Sequence, residues 1–405
     1  MVIVGAGVSG LAAAHHLIAA GVTVIVLEGA DDPGGRMATE TVDGFRLDRI
    51  GQLLNTAATE PARTPGLEGL VLKPFAPGAL VQSDGRTLRA GALTPARALT
   101  SGSLEQARIG AALARLAALP EERLLARPER TAHAALSSRS LGTTLRPLLA
   151  ALLRDPGLTT SSRVADLALR TFARGRLAVP EGGAATLPGL LAAGLPPGTV
   201  RTGVRVRSVA TNLVTTEEHG EFSCRSAILA TGARAAAALL PGLRVPAFHQ
   251  VTVIHHATGT PLPWDGSLLL DGDPDWPVAH TAVMSAVDPT RAPVGRSLVT
   301  TTVLGPPPPT RTVASRLARL YETATRDWEL LAVHHTPEAV PAMPPPQDTR
   351  RPVRVLAGLY VCGDHRDTNT VEGALRSSRR ATAAVLRDFG IPVPTAPEAA
   401  LPVAA

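Results

Sequence analysis

Gly5, Gly7 and Gly10 constrain this chain more than any other feature, because of what flanks them. Met1-Val2-Ile3-Val4 reads as a strand and Val8 to Ala20 as a helix, with the G-x-G-x-x-G at the turn between them. Each glycine answers a separate steric demand. Gly5 permits a tight turn, Gly7 lets a pyrophosphate approach the backbone, and Gly10 lets the helix pack closely on the strand. Ala6, Val8 and Ser9 complete a helix N-terminus whose free N–H groups and dipole favour an anion. A second strand, Val22 to Leu27, ends in Glu28, where an acid would hold the ribose hydroxyls of an adenosine. An ordinary βαβ turn needs neither the acid nor three glycines at this spacing. A carboxylate there repels a 2′-phosphate, so the unit predicts FAD or NAD and disfavours NADP.

The rest of the composition narrows the partners. At 405 residues and 45% hydrophobic content the chain is long enough for two or three cores. Its net charge of +6 suggests a polyanion, yet Lys73 is the only lysine, the arginines are interleaved with Asp and Glu, and aromatics make up 3%. Without a basic run or stacking platforms, no nucleic-acid partner is expected. Cys224 and Cys362 sit in apolar strand-like runs as small core residues, outside any metal-ligand pattern. His15-His16, His255-His256 and His334-His335 lack acidic partners at metal spacing, so no metal is expected. No apolar run reaches the roughly 18 residues of a spanning helix. The expected location is the cytoplasm. The first strand is short, and an upstream start stays open.

After residue 75 the pattern changes. Leu104 to Leu119 and Leu141 to Leu153 read as amphipathic helices with arginine on the polar side. Strand-like alternation returns at Val200 to Val209, Cys224 to Ala230, Val251 to His256 and Ser297 to Val303. A last strand, Leu359 to Cys362, precedes a helix with Ala374, Leu375, Ala381, Val385 and Phe389 on one face, stopped by Gly390 and Pro392. The expected fold class is α/β: a Rossmann-like nucleotide-binding domain interrupted by a mixed α+β substrate domain. The first is assigned residues 1–75, 195–245 and 350–391, the second 76–194 and 246–349, and 392–405 a disordered tail.

Four blocks occur in order: VIVGAGVSGL with Glu28, GGRMAT with GFRLDRIGQLLN, AILATG, and GLYVCGDHRDTNTVEGALRSSRRA. Together they resemble the flavin-containing amine oxidase and phytoene-desaturase-like superfamily of FAD-dependent oxidoreductases. TFARGRLAVPEGG and the approach to the last strand are similar to a bacterial subgroup of NAD(P)/FAD-dependent oxidoreductases. The resemblance implies non-covalent FAD in the Rossmann-like domain. Arg36, after the Gly34-Gly35 turn, offers a fork of donors to phosphate or ribose oxygens. Gly51 and Gln52 would run beside the flavin, and the backbone of Val206 would pair with the adenine edge. Thr231 and Gly232 end the AILATG strand among the cofactor residues. Gly363 and Asp364 would reach a ribityl hydroxyl. Val371, Glu372 and Ala374 would set a helix N-terminus at the flavin pyrimidine edge, stabilising negative charge that develops there.

The chain departs from the superfamily's pattern in three places. Thr370 stands where an aromatic cage residue often precedes the Glu-Gly step, and Tyr321 and Tyr360 are the only tyrosines. Lys73 lies far from the usual place of the lysine that holds a water near flavin N5. Ser378 replaces a frequent glycine. No nucleophile–base triad is legible, which leaves His256, His365 and Arg366 as catalytic candidates. The expected reaction is two-electron (hydride) oxidation or desaturation of a small, largely apolar substrate, with oxygen or another electron acceptor. Amine oxidation by other residues, flavin-dependent isomerisation without net redox, and non-catalytic nucleotide binding stay open beside it.

Overall fold

The computed structural model describes residues 1–83, 85–91, 104–137, 142–259, 262, 264–273 and 278–394. From residue 395 on, the segment expected to be a disordered tail lies outside the described residues. The strand Val2–Val4 sits at the centre of a six-stranded sheet. Its order is Val200–Arg201, Ile25–Leu27, Val2–Val4, Ala227–Leu229, Leu359–Val361 and Arg354–Leu356. Every pairing is parallel except the last. The three middle strands of apolar residues are wholly buried, as parallel strands covered on both faces must be. Helices Val8–Ala19 and Val371–Asp388 pack on each other over this sheet.

A seven-stranded sheet forms the second body. Its order is Glu329–Pro341, Phe248–Thr258, Ser297–Val303, Val278–Val283, Leu269–Asp271, Ala79–Ser83 and Arg86–Ala90. The register pairs Val253 with Thr302 and His255 with Thr300, and pairs Thr302 and Thr300 in turn with His280 and Ala282. Because side chains alternate along a strand, these residues share one face. Ile254, Val299 and Val283 point to the other, where helix Thr310–Leu320 packs through Val313, Leu317 and Leu320. The first face meets Phe45 and Leu47 from the N-terminal segment and the helices Leu104–Ala118, Gly142–Leu153 and Ser162–Arg174. Ser162–Arg174 starts at Ser161, whose hydroxyl accepts from the Arg163 amide, and buries Val164, Ala165, Leu169 and Phe172.

The piece joining the two bodies, assigned from the sequence to the substrate domain, is shared. In the strand Leu177–Pro180, Ala178 enters the nucleotide core while Leu177 and Val179 enter the substrate core. Helix Thr186–Ala193 lies on Val8–Ala19 with Leu187 and Leu191, four residues apart and so on one face, in the nucleotide core.

Candidate active site

The glycine turn is built as steric necessity requires. Gly5 has φ +102°, a conformation L side chains rarely adopt. A Cβ on Gly10 would lie 1.9 Å from the Gly5 carbonyl oxygen, whereas one on Gly7 would meet nothing within 4 Å. Gly7 therefore keeps an open side, at the N-cap of a helix that no side chain caps. Ala6 donates its amide to Glu28 Oε2 at 2.7 Å, and Ala30 donates to Oε1 at 3.0 Å, which fixes the acid at the strand end. Val204 and Gly203 donate amides to the carbonyls of Glu28 and Ala30, which lays the approach to Val206 along the Glu28 segment.

The other predicted cofactor residues gather round this turn. Gly34 donates to the Ala6 carbonyl at 2.9 Å and bridges to Gly7, and Gly35 has φ +60°. Thr231 abuts Gly5 and Gly232 opens the helix Ala233–Leu239. Arg36 was expected at phosphate or ribose oxygens. In the structure its Nη2 pairs with Asp364 at 2.7 Å and its Nη1 donates to the Ala339 carbonyl at 2.8 Å. The Asp364 carboxylate raises the Arg36 pKa. Gly363, at φ +142°, donates to Ser377 Oγ.

Thr370 caps helix Val371–Asp388 by accepting the Gly373 amide at 3.0 Å, and a Cβ on Gly373 would strike the Thr368 carbonyl at 1.9 Å. Glu372, its pKa raised by burial, accepts from the Thr59 amide and from Arg376. Ser9 donates to the Ala374 carbonyl, and Ser378 donates to the Ser9 carbonyl at 3.0 Å, so serine at 378 joins the two helices.

A small, partly open cavity lies where Gly51 and Gln52 face the seven-stranded sheet, bounded there by His255, His280, Thr300 and Thr302. His255 makes hydrogen bonds through Nδ1 with Thr300 Oγ1 and through Nε2 with the Asp48 carbonyl, both at 3.0 Å. Burial pushes its pKa down to about 4, so the ring is neutral. Beneath it, Arg291 is 2% exposed and joins Asp48 at 2.6 Å to Asp288 at 3.2 Å, tying strand Phe45–Asp48 to the turn after Val278–Val283.

The catalytic candidates are dispersed. His256 alternates to the far face of the sheet, its ring 6.0 Å from Trp328, away from the cavity. His365 is buried beside Asp364, with burial lowering its pKa to about 4, and Arg366 follows it. Both therefore belong to the Asp364 side. Tyr321 bonds to Thr281 on the far face, Tyr360 to Asp388 in the nucleotide body, and Lys73 to Glu181 at 2.9 Å. Sequence reading missed His280, Thr300 and Thr302 at the cavity, and Arg154, which donates to the carbonyl of its Gly51. The alternation of Ser297 to Val303 was visible, but not which face would meet Gly51.

The residues fit a long dinucleotide. Thr231 Oγ1 beside the glycine turn and both ring nitrogens of His365 beside Asp364 are buried without a hydrogen-bond partner, so orphaned polar atoms stand where Thr231 and His365 flank Gly363. The sequence profile described as flavin containing amine oxidoreductase matches residues 8–386. The chain belongs to this family. It is thereby placed among the FAD-dependent oxidoreductases, with FAD as cofactor. Putrescine oxidase of Kocuria rosea is 52% identical over 60 residues, 15% of this chain and 13% of that protein. Phytoene dehydrogenase of Streptomyces griseus is 54% identical over 48 residues, 12% of this chain and 10% of that one. The chain thus matches about an eighth or less of these relatives' lengths. The solved cyclohexylamine oxidase of Brevibacterium oxydans superposes with a TM-score of 0.71 at 19% identity, over 96% of this chain and 99% of that one, a likeness of fold. Among the described residues no helix is long and apolar enough to cross a membrane, and no three His, Cys, Asp or Glu side chains group as metal ligands.

Proposed function

We propose that this protein performs two-electron oxidation or desaturation of a small, largely apolar organic substrate, using non-covalent FAD. The observation that carries the reading is the partly open cavity between Gly51–Gln52 and the sheet, walled also by Leu53, Phe75 and Leu268. FAD would supply the hydride acceptor, the substrate losing a hydride and a proton, with oxygen or another acceptor taking the electrons onward. The chain's own residues do the rest. Glu28, Gly7, Val206, Thr231 and Asp364 would hold the adenosine, pyrophosphate and ribityl parts. The capped N-terminus at Val371, Glu372 and Ala374 would favour negative charge beside it. Neutral His255 holds Thr300 and the Asp48 backbone in place.

Tyr321, Tyr360 and Lys73 are committed elsewhere, which supports oxidation or desaturation ahead of amine oxidation by the superfamily's usual cage and lysine. The test is the visible spectrum of the purified protein, then anaerobic bleaching by alkene precursors, alcohols and amines in parallel. Bleaching by a C–H donor that is not an amine supports the reading. Bleaching by amines alone would replace it with amine oxidation.

A further inference from the structure

Arg154 is a buried cation that no described carboxylate pairs with. It follows helix Gly142–Leu153 in a turn, with φ +55° and 6% exposure. A non-glycine residue in the left-handed region is strained and persists where its surroundings hold it. Here the neighbouring Asp155 does so. Its carboxylate accepts from the Gly157 amide, from both the amide and hydroxyl of Thr160, and from the Thr159 hydroxyl. With Asp155 spent on the turn, the Arg154 side chain crosses to the nucleotide-domain segment and donates Nη2 to the Gly51 carbonyl at 2.6 Å. Its Nη1 is buried without a partner.

His280 Nδ1 is likewise buried without a partner, and burial, then the Arg154 charge, lowers the pKa of its ring. Gly51 and His280 line the same cavity, whose volume of about 20 Å³ admits one small polar group. Asp48, the carboxylate in that cavity's lining, is held by Arg291, which also pairs with Asp288. A guanidinium buried without an anion is costly, and the cost is offset when a ligand brings one. A carboxylate matches these donors: one oxygen on the free Nη1, the other on the His280 ring N–H.

We infer that Arg154, with His280, anchors a carboxylate of the substrate, so that the compound oxidised beside Gly51–Gln52 is an apolar molecule ending in one anionic group. This rests on the reading that substrate oxidation takes place at this cavity.

The test is a binding titration that needs no turnover. Purified FAD-loaded protein is titrated with straight-chain carboxylates from acetate to hexanoate and with the matching primary amides, following the flavin visible band. Carboxylates should perturb the band and bind at least tenfold tighter than the amides. Arg154→Met should weaken them at least tenfold while FAD content and the unliganded spectrum stay unchanged, and free guanidinium ion should restore carboxylate binding to Arg154→Ala. Equal binding of acids and amides would overturn the anchor, as would loss of FAD or an altered unliganded spectrum in both variants, which would assign Arg154 to the flavin or to folding. A flat carboxylate titration on protein still bleached by a C–H donor sinks the anchor and leaves the oxidation reading standing.

Discussion

Arg36 and Asp364 meet at 2.7 Å, which joins the Gly34–Gly35 turn to the strand end of the C-terminal block. Arg36 also holds the Ala339 carbonyl on the edge strand Glu329–Pro341, so one guanidinium touches both bodies of the molecule. Asp364→Ala should leave Arg36 without its charge partner and remove the ribityl contact proposed for it. A charge-assisted hydrogen bond is worth about 1.5–3 kcal/mol, so FAD affinity should fall on the order of tenfold to a hundredfold. The ratio of flavin to protein absorbance after dialysis checks this, and unchanged retention would remove Asp364 from the cofactor site.

Two glycines of one motif should behave differently. Alanine at Gly10 would bring its Cβ to 1.9 Å from backbone, which cannot yield cheaply, so Gly10→Ala should cost at least about 1–3 kcal/mol and lower Tm. Gly7→Ala meets nothing within 4 Å and should keep Tm while weakening FAD binding, because its open side is the one proposed to face the cofactor. Thermal unfolding of the cofactor-free forms separates the two effects.

Arg291→Leu leaves Asp48 and Asp288 buried and facing one another with no cation between them. Removing one partner of a buried pair typically costs about 3–5 kcal/mol. Urea unfolding should show a loss of that order with little change in slope.

Acid should act through the histidines. Burial lowers His16, His255, His256 and His365 to about 4 and His280 to about 3, against an ordinary value of 6.5. The unfolded chain then takes up protons that the folded chain refuses. Stability is therefore fully present above pH 6.5 and is lost as pH falls through 6.5 toward 4, by up to about 1.4 kcal/mol per pH unit for each histidine. Unfolding midpoints measured from pH 8 to pH 4 should be flat at first and then decline. His256→Leu should flatten the decline without moving the flavin spectrum, since its ring is on the far face of the sheet.

The sequence by itself determined the nucleotide end of this protein. Contacts there are short in sequence or set by steric exclusion, as with the three glycines and Glu28, or they recur as whole blocks, as with Gly363 to Ala374. Such features are legible because a turn with φ +102° or a carbonyl 1.9 Å from a would-be Cβ admits almost no residue but glycine. Tertiary structure alone decided the substrate end. Whether His255 or His256 faces the cavity depends on the register of Phe248–Thr258 against Ser297–Val303, and a shift of one residue would exchange them. Arg154 and Gly51, like Arg291 and Asp48, are brought together only by packing of distant segments, and no local pattern marks an arginine as the one that will be buried without its anion. For the same reason the boundary at Leu177–Ala193 escaped the sequence: a strand whose alternate residues serve two cores carries the period of a strand and no sign of which core owns it.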